Sequence, residues 1–202
     1  MDIVEFGEQA VFWLMGFASV IAVAVGVERT LVFFRSVKND SVIIPELITS
    51  FRKKEISGLT AIEAREPRSV YARFASFAAE HYNSGTESLN ELLSGKMITE
   101  RIELEKRLPI LSTLGNNAPF LGLLGTVLGV IKAFKSLGSL GSSGAEVVMQ
   151  SISVALLATA AGLFVAIPVV MVNNYFSKKL KVISQNLDIL SKEILASTMS
   201  KG

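Results

Sequence analysis

Cysteine is absent from this 202-residue chain, and histidine occurs once, at His81. Those two shortages exclude a disulfide scaffold, a thiol nucleophile, a cysteine-based metal site and a multi-histidine metal site. Neither a metal nor a cofactor is expected. Charge is also scarce: 19% of residues are charged and 50% are hydrophobic, where a soluble domain carries about 25% charged residues. That balance argues against a soluble enzyme, a disordered chain or a nucleic-acid binder. The basic residues alternate with acids, as in Arg101-Ile-Glu-Leu-Glu-Lys-Arg107. No aromatic stacking platform accompanies them, so they read as a solvated face. His81, between Glu80 and Tyr82, reads as an exposed or capping histidine.

What the chain has in their place is long uncharged runs. Gln9–Val27, Pro109–Ile131 and Val147–Ser177 contain no Asp, Glu, Lys, Arg or His. About 20 apolar residues carry a helix across the hydrocarbon core, so three membrane spans are expected, the third projecting beyond the bilayer. The leading segment MDIVEFGE holds three acids and no base. A cleaved signal peptide has the opposite charge and a small-residue cleavage site, so the first run reads as a retained span. Of the 20 Lys and Arg residues, 13 lie in 28–109 and five in the tail from Asn173. The positive-inside rule then places both segments in the cytoplasm, and the N-terminus and the link from Phe134 to Glu146 outside. Phe12 and Trp13 suit the outer interface, Tyr175 and Phe176 the inner one.

The expected fold is all-α: a polytopic membrane protein with three transmembrane helices and a helical cytoplasmic domain. Its parts are an outer N-terminus with the first span (1–27), a cytoplasmic helical domain (28–108), the second and third spans with their short link (109–177), and a cytoplasmic C-terminal helix (178–202). Within the cytoplasmic part, Pro45–Lys54 places Leu47, Ile48 and Phe51 on one face. Ser69–Tyr82 does the same for Val70, Phe74, Phe77 and Ala78, and Thr86–Leu108 repeats Leu89, Leu92, Leu93, Met97, Ile98, Ile102 and Leu108 at helical spacing. Thr86 is its candidate cap. Ile56–Gly58 and Arg65–Arg68 around Pro67 read as breaks. In the tail, Leu180, Ile183, Leu187, Leu190 and Ile194 form a heptad seam of two repeats, which suits either packing on the cytoplasmic domain or additional packing on neighbouring subunits.

The second and third runs carry matched stripes. Gly122, Thr126, Gly129 and Ala133 share one helix face, as do Ala155, Thr159, Gly162 and Ala166. Small residues let membrane helices approach closely, and a threonine can bond back to its own helix, so each stripe taken alone is a packing seam. Two consecutive stripes, each bearing a threonine, also suit the lining of a narrow polar passage assembled from several copies. Asn116 and Asn117 would then stand at its inner mouth. Pro119 and Pro168 each remove a backbone donor and are expected to bend their helices.

The stretch Ala118-Pro-Phe-Leu-Gly-Leu-Leu-Gly-Thr-Val-Leu-Gly-Val-Ile131, followed by Ala155-Leu-Leu-Ala-Thr-Ala-Ala-Gly-Leu163, Ala166-Ile-Pro-Val-Val170 and Asn174-Tyr-Phe176, resembles the MotA/TolQ/ExbB proton channel family. The Glu28-Arg29 pair fits too. Three spans with the N-terminus outside are similar to the TolQ/ExbB branch, because the MotA branch has an extra span. The resemblance implies a bacterial inner-membrane ring of five copies around single-span partners of the ExbD/TolR type with a membrane Asp. Ion flow would turn ring and partner relative to each other and drive outer-membrane work through a TonB- or TolA-like protein. It implies that the pore threonines are Thr126 and Thr159; the stripe residues Gly122, Gly129, Ala155 and Gly162 would line the passage beside them. The sequence departs from the family at one place: where ExbB and TolQ proteins have Gly-Ile-Ala-Glu-Ala-Leu, this chain has Ser151-Ile-Ser-Val154-Ala-Leu. Val154 replaces the acid, and Ser151 and Ser153 offer replacement oxygens, which leaves proton or sodium open as the coupling ion. The competing readings are a membrane scaffold that assembles partner proteins without conducting, and a membrane enzyme, for which no constellation of acid, base and nucleophile exists in the spans.

Overall fold

The computed structural model describes residues 3–55, 57–140 and 145–199. Among them the chain is entirely helical between short connections: α1 (Ile3–Ser36), α2 (Asp40–Lys53), α3 (Ser57–Arg65), α4 (Val70–Glu80), α5 (Thr86–Glu105), α6 (Leu108–Leu140) and α7 (Ala145–Met199). Three of these helices, α1, α6 and α7, are long and apolar enough to cross a membrane. The protein is an all-α polytopic membrane protein.

Breaks occur where the backbone turns left-handed. Asn39 (φ 60°) separates α1 from α2, Lys54 (φ 59°) ends α2, and Arg107 (φ 70°) separates α5 from α6. Asparagine tolerates that region better than most residues, and here its Nδ2 donates to Glu66 Oε1 at 2.9 Å. The Lys54 N–H donates to the Phe51 carbonyl at 3.1 Å, closing the end of α2. Of the expected break at Ile56–Gly58, Gly58 lies inside α3 and Ile56 lies outside the described residues. The stretch around Pro67 does interrupt the chain between α3 and α4. The Ser69 side chain caps α4 by accepting from the Ala72 N–H at 3.4 Å.

Thr86 is not a cap. Gly85 (φ 86°) holds that position without a side-chain bond, and Thr86 is the first helical residue. The link expected from Phe134 is helical as far as Leu140, so Lys132 and Lys135 belong to α6. The third span and the tail are one helix. Polarity changes sharply near Ser177, but no glycine or proline lies between Pro168 and Gly202, so nothing in the backbone stops the helix there.

Two compact units result. The first comprises residues 1–28 and 107–175. Most of its large apolar side chains point outward: Trp13 is 80% exposed and Phe164 81%, while Val11, Met15 and Leu111 are buried. Its interior is rich in small residues, including Ala18, Ala22, Ala118, Ala155, Ala158 and Ala166. Val11 and Met15 of α1 pack on Ala158 of α7, with Phe12 alongside. This is the reverse of a soluble core and suits a lipid solvent, where close approach and van der Waals packing hold helices together.

The second unit comprises residues 29–106 and 176–202 and has an ordinary core. Ile43, Leu47, Phe51, Tyr71, Phe74, Leu89 and Leu93 are buried there with the tail seam Leu180, Ile183, Leu187, Leu190 and Ile194. Phe176, expected at a membrane interface, is buried and stacks on Phe33 at 5.0 Å between ring centroids. Ile98 and Ile102, expected on the apolar face of α5, are exposed. Buried polar groups are paired: Asn186 Nδ2 donates to the Tyr71 hydroxyl at 3.1 Å, and the Tyr82 hydroxyl bonds Ser197 Oγ at 2.9 Å.

Candidate functional site

The two small-residue stripes meet each other. A Cβ added to Gly122 would lie 2.9 Å from the Ala158 carbonyl oxygen and 3.3 Å from the Gly162 Cα. One added to Gly162 would lie 2.7 Å from the Ala118 carbonyl oxygen, and one on Gly129 would lie 2.5 Å from the Ala155 Cβ. The backbones of α6 and α7 therefore approach so closely that only hydrogen fits at three crossing points. Gly125 continues the seam against Ala158, and Gly115 against Val170. Gly122, Gly129, Ala155 and Gly162, expected to line a passage, are buried in this seam within the chain. The helical period identified their face correctly as one of close contact but not what it contacts.

The threonines stand at the edge of this seam. Thr159 is half-buried, and its hydroxyl donates across the seam to the Gly122 carbonyl at 3.1 Å. Thr126, also half-buried, donates to the Leu123 carbonyl of its own helix at 2.6 Å. One hydroxyl thus ties α7 to α6, while the other stays with its own backbone. Each hydroxyl oxygen retains lone pairs that a water or cation can use.

The remaining candidates divide. Ser151 is buried, and its carbonyl oxygen faces Gly129 in the seam, 3.4 Å from the Cβ position. Ser153 is exposed and bonds back to the Met149 carbonyl at 2.9 Å. Val154 is exposed beside it. Asn116 and Asn117 are both exposed, and Asn117 Nδ2 donates to the Thr113 carbonyl at 2.7 Å. The structure brings Gly122, Gly129, Ala155, Thr159 and Gly162 together, with Thr126 at their margin, and leaves Asn116, Asn117 and Ser153 on outer faces.

Two ion pairs were not legible in the sequence. Glu8, with a side chain only 9% exposed, pairs with Lys132 Nζ at 2.9 Å and joins α1 to α6. The partners are 124 positions apart, and each looked like a solvated flank of an apolar run. Glu28 pairs with Arg107 at 2.8 Å. His81 closes α4: its Nδ1 donates to the Phe77 carbonyl at 2.9 Å and its ring packs on Phe77.

In the second unit Glu100 is the one carboxylate buried among helices with a side chain 2% exposed among the described ion pairs. Arg73 of α4 binds it at 2.5 Å and Lys96 of α5 at 2.9 Å. Burial pushes this carboxyl up, but the hydrogen bonds and charges of Arg73 and Lys96 outweigh it and hold the group below its ordinary value. The same pairing raises Arg73 against the effect of its own burial. The cluster joins α4 to α5, a structural role in a polar unit.

Residues 63–189, more than half of the chain, match the sequence profile of the MotA/TolQ/ExbB proton channel family. The chain belongs to the MotA/TolQ/ExbB family. It is similar to the biopolymer transport protein ExbB of Neisseria meningitidis, 28% identical over 194 residues that cover 91% of this chain and 88% of the relative. The ExbB of Aquifex aeolicus is 40% identical over 113 residues, 54% of this chain and 76% of that protein. An ExbB-like 2 biopolymer transport protein of Helicobacter pylori is 40% identical over 88 residues, 44% of this chain and 59% of the relative. The chain thus spans a little over half the length of the Helicobacter protein it matches. These ExbB relatives agree with the TolQ/ExbB branch. The matched family is described as a proton channel family, a transport class and not an enzymatic one. The α6–α7 seam lies inside the matched region.

Proposed function

We propose that this chain is the ring-forming subunit of an inner-membrane motor, in which proton or sodium flow drives biopolymer transport or envelope work at the outer membrane. The observation that carries this reading is the α6–α7 seam: two membrane helices held at backbone contact, with the Thr159 hydroxyl bridging to Gly122 and Thr126 at the margin. Several copies would present these threonines to a shared passage, while the glycines and alanines behind them fix their position. The three charge-free runs contain no acid or base. Ion movement needs an ionisable or strongly coordinating group, so the titrating carboxylate comes from a single-span partner of the ExbD/TolR type with a membrane Asp. The 18 of 20 bases in 28–109 and the tail support a cytoplasmic second unit, with the Glu8–Lys132 pair at the periplasmic end. A TonB- or TolA-like protein would carry the motion outward, and five copies would complete the ring.

The test is Thr126→Val and Thr159→Val. Valine keeps the shape and removes the hydroxyl. A membrane hydrogen bond is worth about 0.6 kcal/mol, up to about 1.7, too little to disperse an assembly. Both variants are expected to assemble at wild-type size, by native mass measurement, and to lose coupled transport. Full transport in both would reject the lining role. Loss of assembly in both would leave the threonines as packing residues only, in a scaffold that conducts nothing.

A further inference from the structure

Two exposed faces of the second unit match each other in height, apolarity and charge. On α5, Leu89, Leu93, Glu100 and Leu104 face the core. The opposite face, at 100° per residue, carries Glu87, Glu91, Ile98, Ile102 and Glu105, all exposed. Ile98 is 58% and Ile102 65% exposed, unusual for adjacent isoleucines on a polar helix. On the α7 tail, the face opposite the buried seam carries Lys178, Lys181, Val182, Ile189 and Lys192, again all exposed. Both faces have apolar centres with charged ends, acidic on α5 and basic on α7.

Their heights are set by contacts within the unit. Thr86 Oγ1 lies 3.3 Å from Thr198 Oγ1, which places the start of α5 beside the end of α7. At the other end Arg29 donates to the Leu104 carbonyl at 3.4 Å, while Phe33, one turn further along α1, stacks on Phe176. The helix α5 therefore runs antiparallel to residues 176–198. Counting equal rises from the Thr86–Thr198 contact, Glu91 stands within about one turn of Lys192. Ile98 falls between Gln185 and Ile189, Ile102 at Val182, and Glu105 near Lys178 and Lys181.

We propose that the outer face of α5 in one copy docks on the outer face of the α7 tail in a second copy. Rotation about an axis parallel to these helices preserves height, so every acidic end meets a basic end and the isoleucines meet Val182 and Ile189. Lys192 is also held by Asp188 one turn back, at 2.7 Å, and Glu105 by Arg101 one turn back, at 3.7 Å; both pairs are exposed and can be shared. Each copy offers both faces, so the contact is head-to-tail and closes into a ring when the rotation allows. This rests on the self-assembly reading above and names the surfaces that perform it outside the membrane.

The natural chain has no cysteine, so introduced thiols report the contact cleanly. A chain with Ile102→Cys is co-expressed with a longer, tagged chain carrying Val182→Cys, and membranes are mildly oxidised. The expected product is a mixed dimer holding up to about half of each chain when the two mix evenly in a head-to-tail ring, with no dimer when either variant is expressed alone. Ile98→Cys with Ile189→Cys provides a second pair should the first disturb folding. Glu91→Lys should reduce mixed-dimer yield several-fold, and adding Lys192→Glu should restore it. Oligomers in native mass spectra without cross-linking at either pair would overturn this surface and leave self-assembly standing. A dimer from a single variant would also overturn it, because the contact would then be two-fold. Monomers alone would overturn both readings.

Discussion

The two units of this chain solve the packing problem in opposite ways. In the second, bulk is inside: Phe51, Tyr71 and Phe74 are fully buried, and polar groups among them are paired. In the first, most of the bulk is outside and the interior is rich in glycine and alanine, with Val11, Met15 and Leu111 buried among them and the backbones of α6 and α7 in contact. The difference follows from the solvent. Water drives large apolar side chains inward, whereas lipid gives them no reason to leave the surface, and helix association then depends on how closely backbones approach. Tolerance to substitution should be inverted between the units.

The sharpest break in that comparison is enlargement of the seam. Gly162→Leu places a branched side chain where a single Cβ already meets the Ala118 carbonyl at 2.7 Å. We expect loss of folded protein from membranes, measured by protease resistance and expression. Gly16→Leu on α1, where nothing lies within 4 Å of the added Cβ, should behave as wild type. Equal damage from both would contradict the contrast.

Truncation should hurt the second unit most. Phe51→Ala removes a fully buried ring that stacks on Tyr82, and about 3–5 kcal/mol of destabilisation is expected, read from thermal unfolding in detergent. Phe164→Ala, on the outer face of α7, should have little effect by the same measure.

Glu100→Gln comes next. It leaves Arg73 and Lys96 without their carboxylate in a buried setting, and a loss of about 3 kcal/mol is expected. The pH dependence has a definite sign. The folded value of Glu100 is lowered, so its contribution is complete above the ordinary glutamate value of about 4.3. It is lost as the pH falls through the lowered folded value. Wild-type unfolding temperature should therefore drop on acidification below about pH 4, and the drop should be smaller in Glu100→Gln. The smallest effect expected is that of Tyr71→Phe, which deprives Asn186 of its acceptor at a cost of about 1 kcal/mol.

The membrane helices were legible because charge-free runs of that length have few alternatives, and the buried faces of α2, α4 and the tail because helical periodicity marks them. Periodicity identifies a face but not its partner. The stripes on α6 and α7 were visible as stripes, yet their meeting within one chain is a tertiary fact, as is the exposure of Ile98 and Ile102. The continuity of α7 was hidden by a change of polarity at Ser177, to which helical hydrogen bonding is indifferent. Asn39 and Arg107 turn the chain by adopting positive φ without a glycine; asparagine is a weak signal of that conformation and arginine is none. Glu8–Lys132 and Arg73–Glu100 were invisible as pairs, because each member looked like any other surface charge. In the candidate site, Thr126 and Thr159 were identifiable from spacing and from the family resemblance. That Thr159 bonds across the seam while Thr126 bonds within its own helix was not.

The central claim is that this chain supplies a polar sleeve and no titrating group of its own. Reconstitution in liposomes tests it directly, with a pH- or sodium-sensitive dye inside and an imposed gradient. The chain alone should be nearly silent to both ions. Co-reconstitution with a single-span partner bearing a membrane Asp should give ion-dependent flux, removed by changing that Asp to Asn and by Thr159→Val. Robust, gated flux from this chain by itself would contradict the account.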